Sequence, residues 1–169
     1  MEARRSQRSR WDRLIQARSP LRVNDIGGWT DTWFSGEGWV LNLAVAPAVE
    51  VQVKAFPNKQ GRTKRVLVRA ENYGENFWVN PEKPSRFPHP LLQYIISRMP
   101  PPEPVQLEIS VFSPVPAGIS TGTSASVGLA LLGALSLIRE ERLARPKLVA
   151  LAHRVETEDL KQQSGIQDQ

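Results

Sequence analysis

The segment PVPAGISTGTSAS, residues 114–126, stands directly before VGLALLGALSLI, residues 127–138, one of the most apolar stretches of the chain. Its prolines, glycines, serines and threonines carry no charge, and they predict a loop that leads into a buried helix from about Thr123 to Arg139. The first turn of a helix leaves backbone N–H groups unpaired at the positive end of the macrodipole, and glycines let an anion approach the backbone. The composition fits a phosphate cradle and an ordinary helix start capped by Thr121 or Thr123 equally well.

The length and composition of the chain are those of a globular protein with one sizeable core. The chain has 169 residues, of which 40% are hydrophobic and 23% charged. It has no cysteine, which excludes disulfides and thiolate metal sites, and its two histidines, His89 and His153, make a histidine-built zinc site unexpected. Since no apolar run reaches the length of a membrane span and the N-terminus lacks the apolar core of a secretory signal, we expect a cytoplasmic protein without membrane contact.

The net charge of +5 is concentrated at the N-terminus. Residues 1–18 contain six arginines against Glu2 and Asp12, so this segment carries +4 and the remainder of the chain +1. A nucleic-acid-binding domain spreads its basic surface over the fold. We therefore interpret residues 1–17 as a basic, solvated extension, and we do not expect nucleic acid as the partner.

The order of the predicted elements favours an α+β fold. Strands are predicted at 19–25, 38–45, 48–56, 64–70, 76–80 and 104–113, with the second and third of these paired through a short loop. Helices are predicted at 90–99, at 123–139 and from Pro146 through residue 160. A further helical turn around Trp11, Leu14 and Ile15 is expected to pack on the domain.

Two other segments bear on the interpretation of the loop. RVNDIGGWTD, residues 22–31, ends a strand at paired glycines and then offers Thr30 and Asp31. VETEDLKQQSGIQDQ, residues 155–169, carries Glu156 on a helix and Asp168 beyond a glycine. Taken alone, Asp31 suits a turn and the acidic residues of the second segment suit a solvated helix face.

Taken together and in this order, the three segments resemble the GHMP kinases, the family of galactokinase, homoserine kinase and mevalonate kinase. RSPLRVNDIGGWTD, residues 18–31, resembles the opening motif of the heptose-phosphate kinases and fucokinases. PVPAGISTGTSAS resembles the family's motif P-x-x-x-G-L-G-S-S-A-A, with Ser120 where the loop has its first glycine. SGIQDQ, residues 164–169, resembles the segment of the catalytic aspartate, and the twelve-residue step from Glu156 to Asp168 matches galactokinase.

The resemblance implies a fold and a function. The implied fold is the mostly antiparallel or mixed sheet of the GHMP N-terminal domain, packed with helices and similar to a ribosomal-protein domain, over residues 18–169. The implied function is transfer of the ATP γ-phosphate to a sugar or sugar-phosphate hydroxyl, with Mg²⁺ and with the anomeric oxygen as acceptor. Two other functions stay open: a nucleic-acid-binding module on the related ribosomal-protein fold, and a non-catalytic homologue that binds a sugar.

The resemblance also implies the roles of individual residues. Asp168 is implied as the catalytic carboxylate, Arg22 as the side chain that stabilises charge near it, and Ser124 and Glu156 as the magnesium ligands. The sugar contacts implied are Gly28, Thr30 and Asp31. The implied ATP-phosphate loop comprises Pro116, Ala117, Gly118, Ile119, Ser120, Thr121, Gly122, Thr123 and Ser124.

The family's third, glycine-rich motif lies in a C-terminal half that is absent from this sequence. We therefore expect the 169 residues to be the N-terminal half of a kinase. A C-terminal half or an oligomeric partner is expected to complete the site. Alone, the chain is expected to bind ATP weakly and to turn over little.

Overall fold

A computed structural model of the chain describes residues 12–28, 30, 32, 34–58, 64–116 and 120–166. Within these ranges one five-stranded sheet has the order β1-β2-β5-β3-β4. Its strands are β1 (Arg13–Ile26), β2 (Leu41–Pro57), β3 (Val66–Ala70), β4 (Glu75–Val79) and β5 (Val105–Phe112). The helices are α1 (Pro90–Arg98), α2 (Thr123–Ile138) and α3 (Arg145–Arg154). β3 and β5 are parallel and the other neighbours are antiparallel, which confirms the predicted α+β class.

The core lies between one face of the sheet and the three helices. Alternation along β2 buries Val49, Val51 and Val53 and leaves Glu50 and Gln52 on the opposite, more polar face. α2 packs on β1 and β2, while α1 and α3 pack on α2. Ten of the sixteen residues of α2 are buried, which explains why its sequence is apolar on most sides.

Two predictions about the first strands are wrong. Residues 38–45 and 48–56 do not form a hairpin, because they belong to the single long strand β2, which pairs with β1 from Arg13 to Ile26. The helical turn expected around Leu14 and Ile15 is also wrong, because both residues pair with β2 inside β1. β1 therefore begins within residues 1–17, the segment interpreted as an extension.

The first half of β2 and the second half of β1 form a two-stranded ribbon. Here β2 pairs with β1 alone, because its pairing with β5 begins only at Glu50. Register shifts between Pro20 and Leu21 and between Asn24 and Ile26 bend the ribbon. The end of β1 thereby reaches the beginning of α2.

The predicted helices at 90–99, 123–139 and from residue 146 are confirmed, with one local difference. α3 ends at Arg154 and continues as a single turn of π-helix, Val155–Asp159, closed by the Leu160 N–H that donates to the Val155 carbonyl over 3.0 Å. In the described part of the chain, every helix is too short or too polar to cross a lipid bilayer.

Candidate active site

The loop before α2 ends in two residues with left-handed backbone conformations. Ser120 has φ of 57° and Gly122, which precedes the first helical residue, has φ of 65°. Glycine has no side chain with which to cap the helix, so the first-turn amides of Thr123, Ser124 and Ala125 lack the side-chain partner that many helix starts provide. These are the amides that a helix leaves without an internal acceptor. This geometry suits an anion.

Arg22 of β1 lies across this loop. Its backbone N–H donates to the Thr121 carbonyl over 3.0 Å, and its guanidinium Nη1 lies 3.5 Å from the Ser120 carbonyl. A Cβ at Gly122 would stand 2.9 Å from Arg22 Cγ, so any larger residue at this position would displace the arginine side chain. Ser126 adds a second link, because its hydroxyl donates to the Pro20 carbonyl over 2.6 Å. Two of the three predicted motifs are thus in direct contact.

A pocket of about 700 Å³ opens in front of the loop. One wall is polar and consists of Arg22, Asn24 and residues 120–124. The rest of the lining, here called the second wall, is formed by the ends of β3 and β5, the start of α1, and Leu160 and Gln162 from the segment after the π turn. A pocket with one wall of hydroxyls, amides and a guanidinium and a second wall of mixed apolar, aromatic and polar side chains suits a ligand that has a charged end and a flat end.

The second wall carries side chains that the sequence did not indicate. Tyr73 and His89 line the pocket, and their ring centroids lie 4.8 Å apart. The His89 ring stacks on Phe77 at 5.4 Å, and its Nε2 lies 2.9 Å from an oxygen of Glu75. Asn72 ties this wall to the end of β5, because its side-chain amide both donates to the Ser113 carbonyl and accepts from the Ser113 N–H, over 2.6 and 2.7 Å. No local sequence pattern marks these residues, since separate strands and a helix bring them together.

Glu156 lies in the π turn and is 4% exposed. The Ser164 hydroxyl donates to its Oε2 over 2.7 Å, and the Gln162 N–H donates to its carbonyl over 2.9 Å. Glu156 itself is not part of the pocket wall, whereas Leu160 and Gln162 are. Among the described residues no group of three or more histidine and acidic side chains is arranged around a metal position.

The remaining predicted site residues divide into described and undescribed positions. Gly28 and Thr30 belong to the turn after β1, where the Thr30 hydroxyl donates to the Gly27 carbonyl over 2.7 Å, and neither residue lines the pocket. Pro116 is exposed and precedes the pocket loop. The following predicted residues lie outside the described ranges: Asp31, Ala117, Gly118, Ile119 and Asp168.

The comparisons with known proteins agree with this geometry. Residues 90–169 match the family model of the GHMP kinases N terminal domain. No curated protein matches the chain by sequence. Among solved structures, a D-glycero-D-manno-heptose 1-phosphate kinase from Bacteroides thetaiotaomicron is similar with a TM-score of 0.75 and 21% identity, over 93% of this chain and 52% of that one.

Two further structures share the fold. The galactokinase of Lactococcus lactis, solved with galactose, has a TM-score of 0.69 and 23% identity over 90% of this chain and 40% of its own. The mevalonate kinase of Methanococcus jannaschii has a TM-score of 0.64 and 14% identity over 92% and 50%. The chain therefore spans about half the length of the solved structures that it matches.

Proposed function

We propose that the chain supplies the ATP-binding half of a sugar kinase, because residues 90–169 match the family model of the GHMP kinases N terminal domain and the fold is similar to that of a heptose 1-phosphate kinase. The observation that carries the proposal is the start of α2, where left-handed Gly122 and the amides of the first turn face the pocket beside Arg22. Amides at a helix N-terminus, together with a guanidinium, bind phosphate oxygens. We assign the ATP phosphates to residues 116–124.

The second wall of the pocket suits the nucleoside. Tyr73 and His89 offer aromatic faces, and the apolar side chains of Leu91, Leu92 and Val115 complete an environment that favours a flat heterocycle. In this proposal the phosphates lie at the polar wall and the base lies beside Tyr73 and His89, so the nucleotide occupies both parts of the pocket. This division supports a nucleotide over inorganic phosphate as the ligand.

Two oxygen donors of the chain support magnesium as a proposed cofactor. Ser124 is exposed at the pocket wall and offers a hydroxyl, and Glu156 offers a buried carboxylate that Ser164 already orients. Both are oxygen ligands, which Mg²⁺ prefers. We propose that these two residues hold the ion, which neutralises charge on the transferring phosphoryl group when bound.

The acceptor is proposed to be a hydroxyl of a sugar or sugar phosphate, most directly the anomeric one. The motif around Gly28, Thr30 and Asp31 supports this choice through its resemblance to heptose-phosphate kinases, and similarity to a heptose 1-phosphate kinase and a galactokinase points the same way. Asp31 would accept hydrogen bonds from sugar hydroxyls. Asp168 would orient or deprotonate the acceptor, with Arg22 balancing the charge.

The first experiment measures binding of the nucleotide to the 169-residue chain by calorimetry, with and without Mg²⁺. We expect saturable ATP binding that Tyr73→Ala weakens about tenfold, since removal of an aromatic stacking partner costs on the order of 1–3 kcal/mol per base. Phe87→Ala is the matched control, because Phe87 is an exposed aromatic side chain outside the pocket wall. Absence of ATP binding, or binding of single- or double-stranded RNA instead, would contradict the proposal.

The second experiment tests Asp168 in a polypeptide that also contains a GHMP C-terminal half. We expect Asp168→Asn to abolish phosphoryl transfer to sugars and to leave ATP affinity nearly unchanged, because asparagine keeps the shape and removes the charge. A panel of sugars with the phosphate position mapped by NMR identifies the acceptor. Normal turnover by the variant, or mevalonate or homoserine as the preferred acceptor, would refute the assignment.

A further inference from the structure

An ion pair joins the end of α1 to the π turn. Arg98 Nε donates to Asp159 Oδ2 over 2.8 Å and Arg98 Nη2 donates to Oδ1 over 2.7 Å. Two guanidinium nitrogens thus bind the two carboxylate oxygens side by side. Nη2 also lies 3.3 Å from Glu158 Oε2. The hydrogen bond with Asp159 is the largest cause that raises the pKa of Arg98 above its usual value. Such two-point contacts fix geometry as well as charge.

The π turn that Arg98 holds is the segment that presents Glu156. Val155 and Glu156 are buried at its beginning, while Glu158 and Asp159 reach back to α1 at its end. A π turn is a rare, wide turn inserted in a helix, and such turns recur at functional sites. The turn is therefore fastened from both ends, by burial at Val155 and by Arg98 at Asp159.

The residues that follow Asp159 connect the ion pair to the pocket. Leu160 and Gln162 line the pocket wall, and the Gln162 N–H donates to the carbonyl of Glu156 over 2.9 Å. The opposite end of α1 lies in the same wall, through Pro90 and Leu91. α1 is nine residues long, and this single helix connects the pocket wall at its N-terminal end with the π turn at its C-terminal end.

From these contacts we infer that Arg98 is a positioning residue for the nucleotide–magnesium site, because it fixes the turn that holds Glu156 and the Leu160–Gln162 wall. The inference rests on the proposed function. Within the described residues Arg98 bonds to Asp159 and Glu158 and to none of the proposed site residues, so its effect passes through Asp159. Its loss is expected to change how the metal promotes nucleotide binding, and to leave the fold and the phosphate loop intact.

The test compares Arg98→Gln with the unaltered chain in titrations of ATP affinity against Mg²⁺, and against Mn²⁺ followed by electron paramagnetic resonance. We expect the metal concentration for half-maximal effect to rise about five- to tenfold, with a smaller loss of metal-free ATP affinity, because Leu160 and Gln162 also line the pocket. Arg98→Lys keeps the positive charge but cannot make the two-point contact with the carboxylate, so it should recover part of the metal dependence. Arg69→Gln is the control, since it removes another arginine–carboxylate pair, with Glu108 on the polar face of the sheet.

Hydrogen exchange supplies a readout that is independent of ligand. In Arg98→Gln we expect faster exchange of the Leu160 and Gln162 amides and unchanged exchange in α2. If Arg98→Gln does not fold, Asp159→Asn tests the same contact and should reproduce the metal and exchange effects. Wild-type metal dependence in the folded variant would overturn the positioning role alone, whereas absence of metal-dependent ATP binding in the unaltered chain would overturn the proposed function as well.

Discussion

The two ends of α2 have opposite roles in this molecule. At the C-terminal end Leu131, Leu135 and Ile138 are completely buried and contact the sheet and neighbouring helices. At the N-terminal end Gly122 adopts a left-handed conformation and Ser124 is exposed to the pocket. The buried end supplies stability through apolar area removed from water, whereas the open end presents backbone amides and hydroxyls to a ligand. Substitutions towards the C-terminal end of α2 should therefore reduce stability more and ligand binding less. Substitutions towards the N-terminal end should do the reverse.

The largest effect on stability is expected at the buried end. Leu135→Ala removes a fully buried side chain and leaves a cavity, which costs about 2–5 kcal/mol of unfolding free energy. Urea denaturation followed by circular dichroism measures the loss. ATP affinity of the folded fraction should not change, because Leu135 does not line the pocket. A loss of stability below about 1 kcal/mol would show that the core relaxes around the cavity.

Ser126, one turn into α2, should combine both roles. Ser126→Ala removes the hydroxyl that donates to the Pro20 carbonyl at a bend of β1, and because Pro20 is exposed we expect a loss of about 0.5–1.5 kcal/mol. ATP affinity should also fall, since Arg22 follows this bend by two residues. Ser136→Ala is the matched control: its hydroxyl is equally buried but bonds only within α2, to the Gly133 carbonyl. Equal ATP affinities in the two variants would show that the bend of β1 does not affect ATP binding.

Gly122→Ala should lower stability by a similar amount to Ser126→Ala and should weaken binding more. A side chain at φ of 65° costs about 1–2 kcal/mol, and its Cβ would displace Arg22. Gly36→Ala provides the control, because Gly36 has φ of 79° and open space around its Cβ position. Both variants should lose similar stability in thermal denaturation, while only Gly122→Ala should weaken ATP binding, by about tenfold or 1.4 kcal/mol. Loss of binding in both would indicate a global effect.

The sequence predicted the polar half of the site better than the apolar half. The loop before α2 and the arginine of β1 belong to local patterns of glycine, hydroxyl and charge, whose chemistry does not depend on distant residues. Tyr73 and His89 have no such pattern, because the β3–β4 hairpin and α1 must fold before they share a wall. The false hairpin within β2 has a similar cause. Local alternation marks strands, but it does not tell one long strand from two when the pairing partner is distant.

The sequence did not predict the π turn, for a different reason. VETED continues the helical pattern of α3, and the extra residue in its turn is compensated by contacts far away in the chain, such as the pair of Arg98 with Asp159. Helix propensity does not report such contacts. The acidic residues in this stretch therefore suited a solvated face, although the structure buries Glu156 and pairs Asp159.

The smallest effect on stability is expected at the open end, with Ser124→Ala. Ser124 is exposed, and the variant should unfold within about 0.5 kcal/mol of the unaltered chain. Its hydroxyl is nevertheless a proposed magnesium ligand, so ATP affinity measured with saturating Mg²⁺ should fall about tenfold, while affinity without metal should be retained. Ser124→Thr keeps the hydroxyl and should preserve the metal effect. If Ser124→Ala weakened metal-free binding equally, the hydroxyl would contact phosphate directly, and the metal assignment would pass to Glu156 alone.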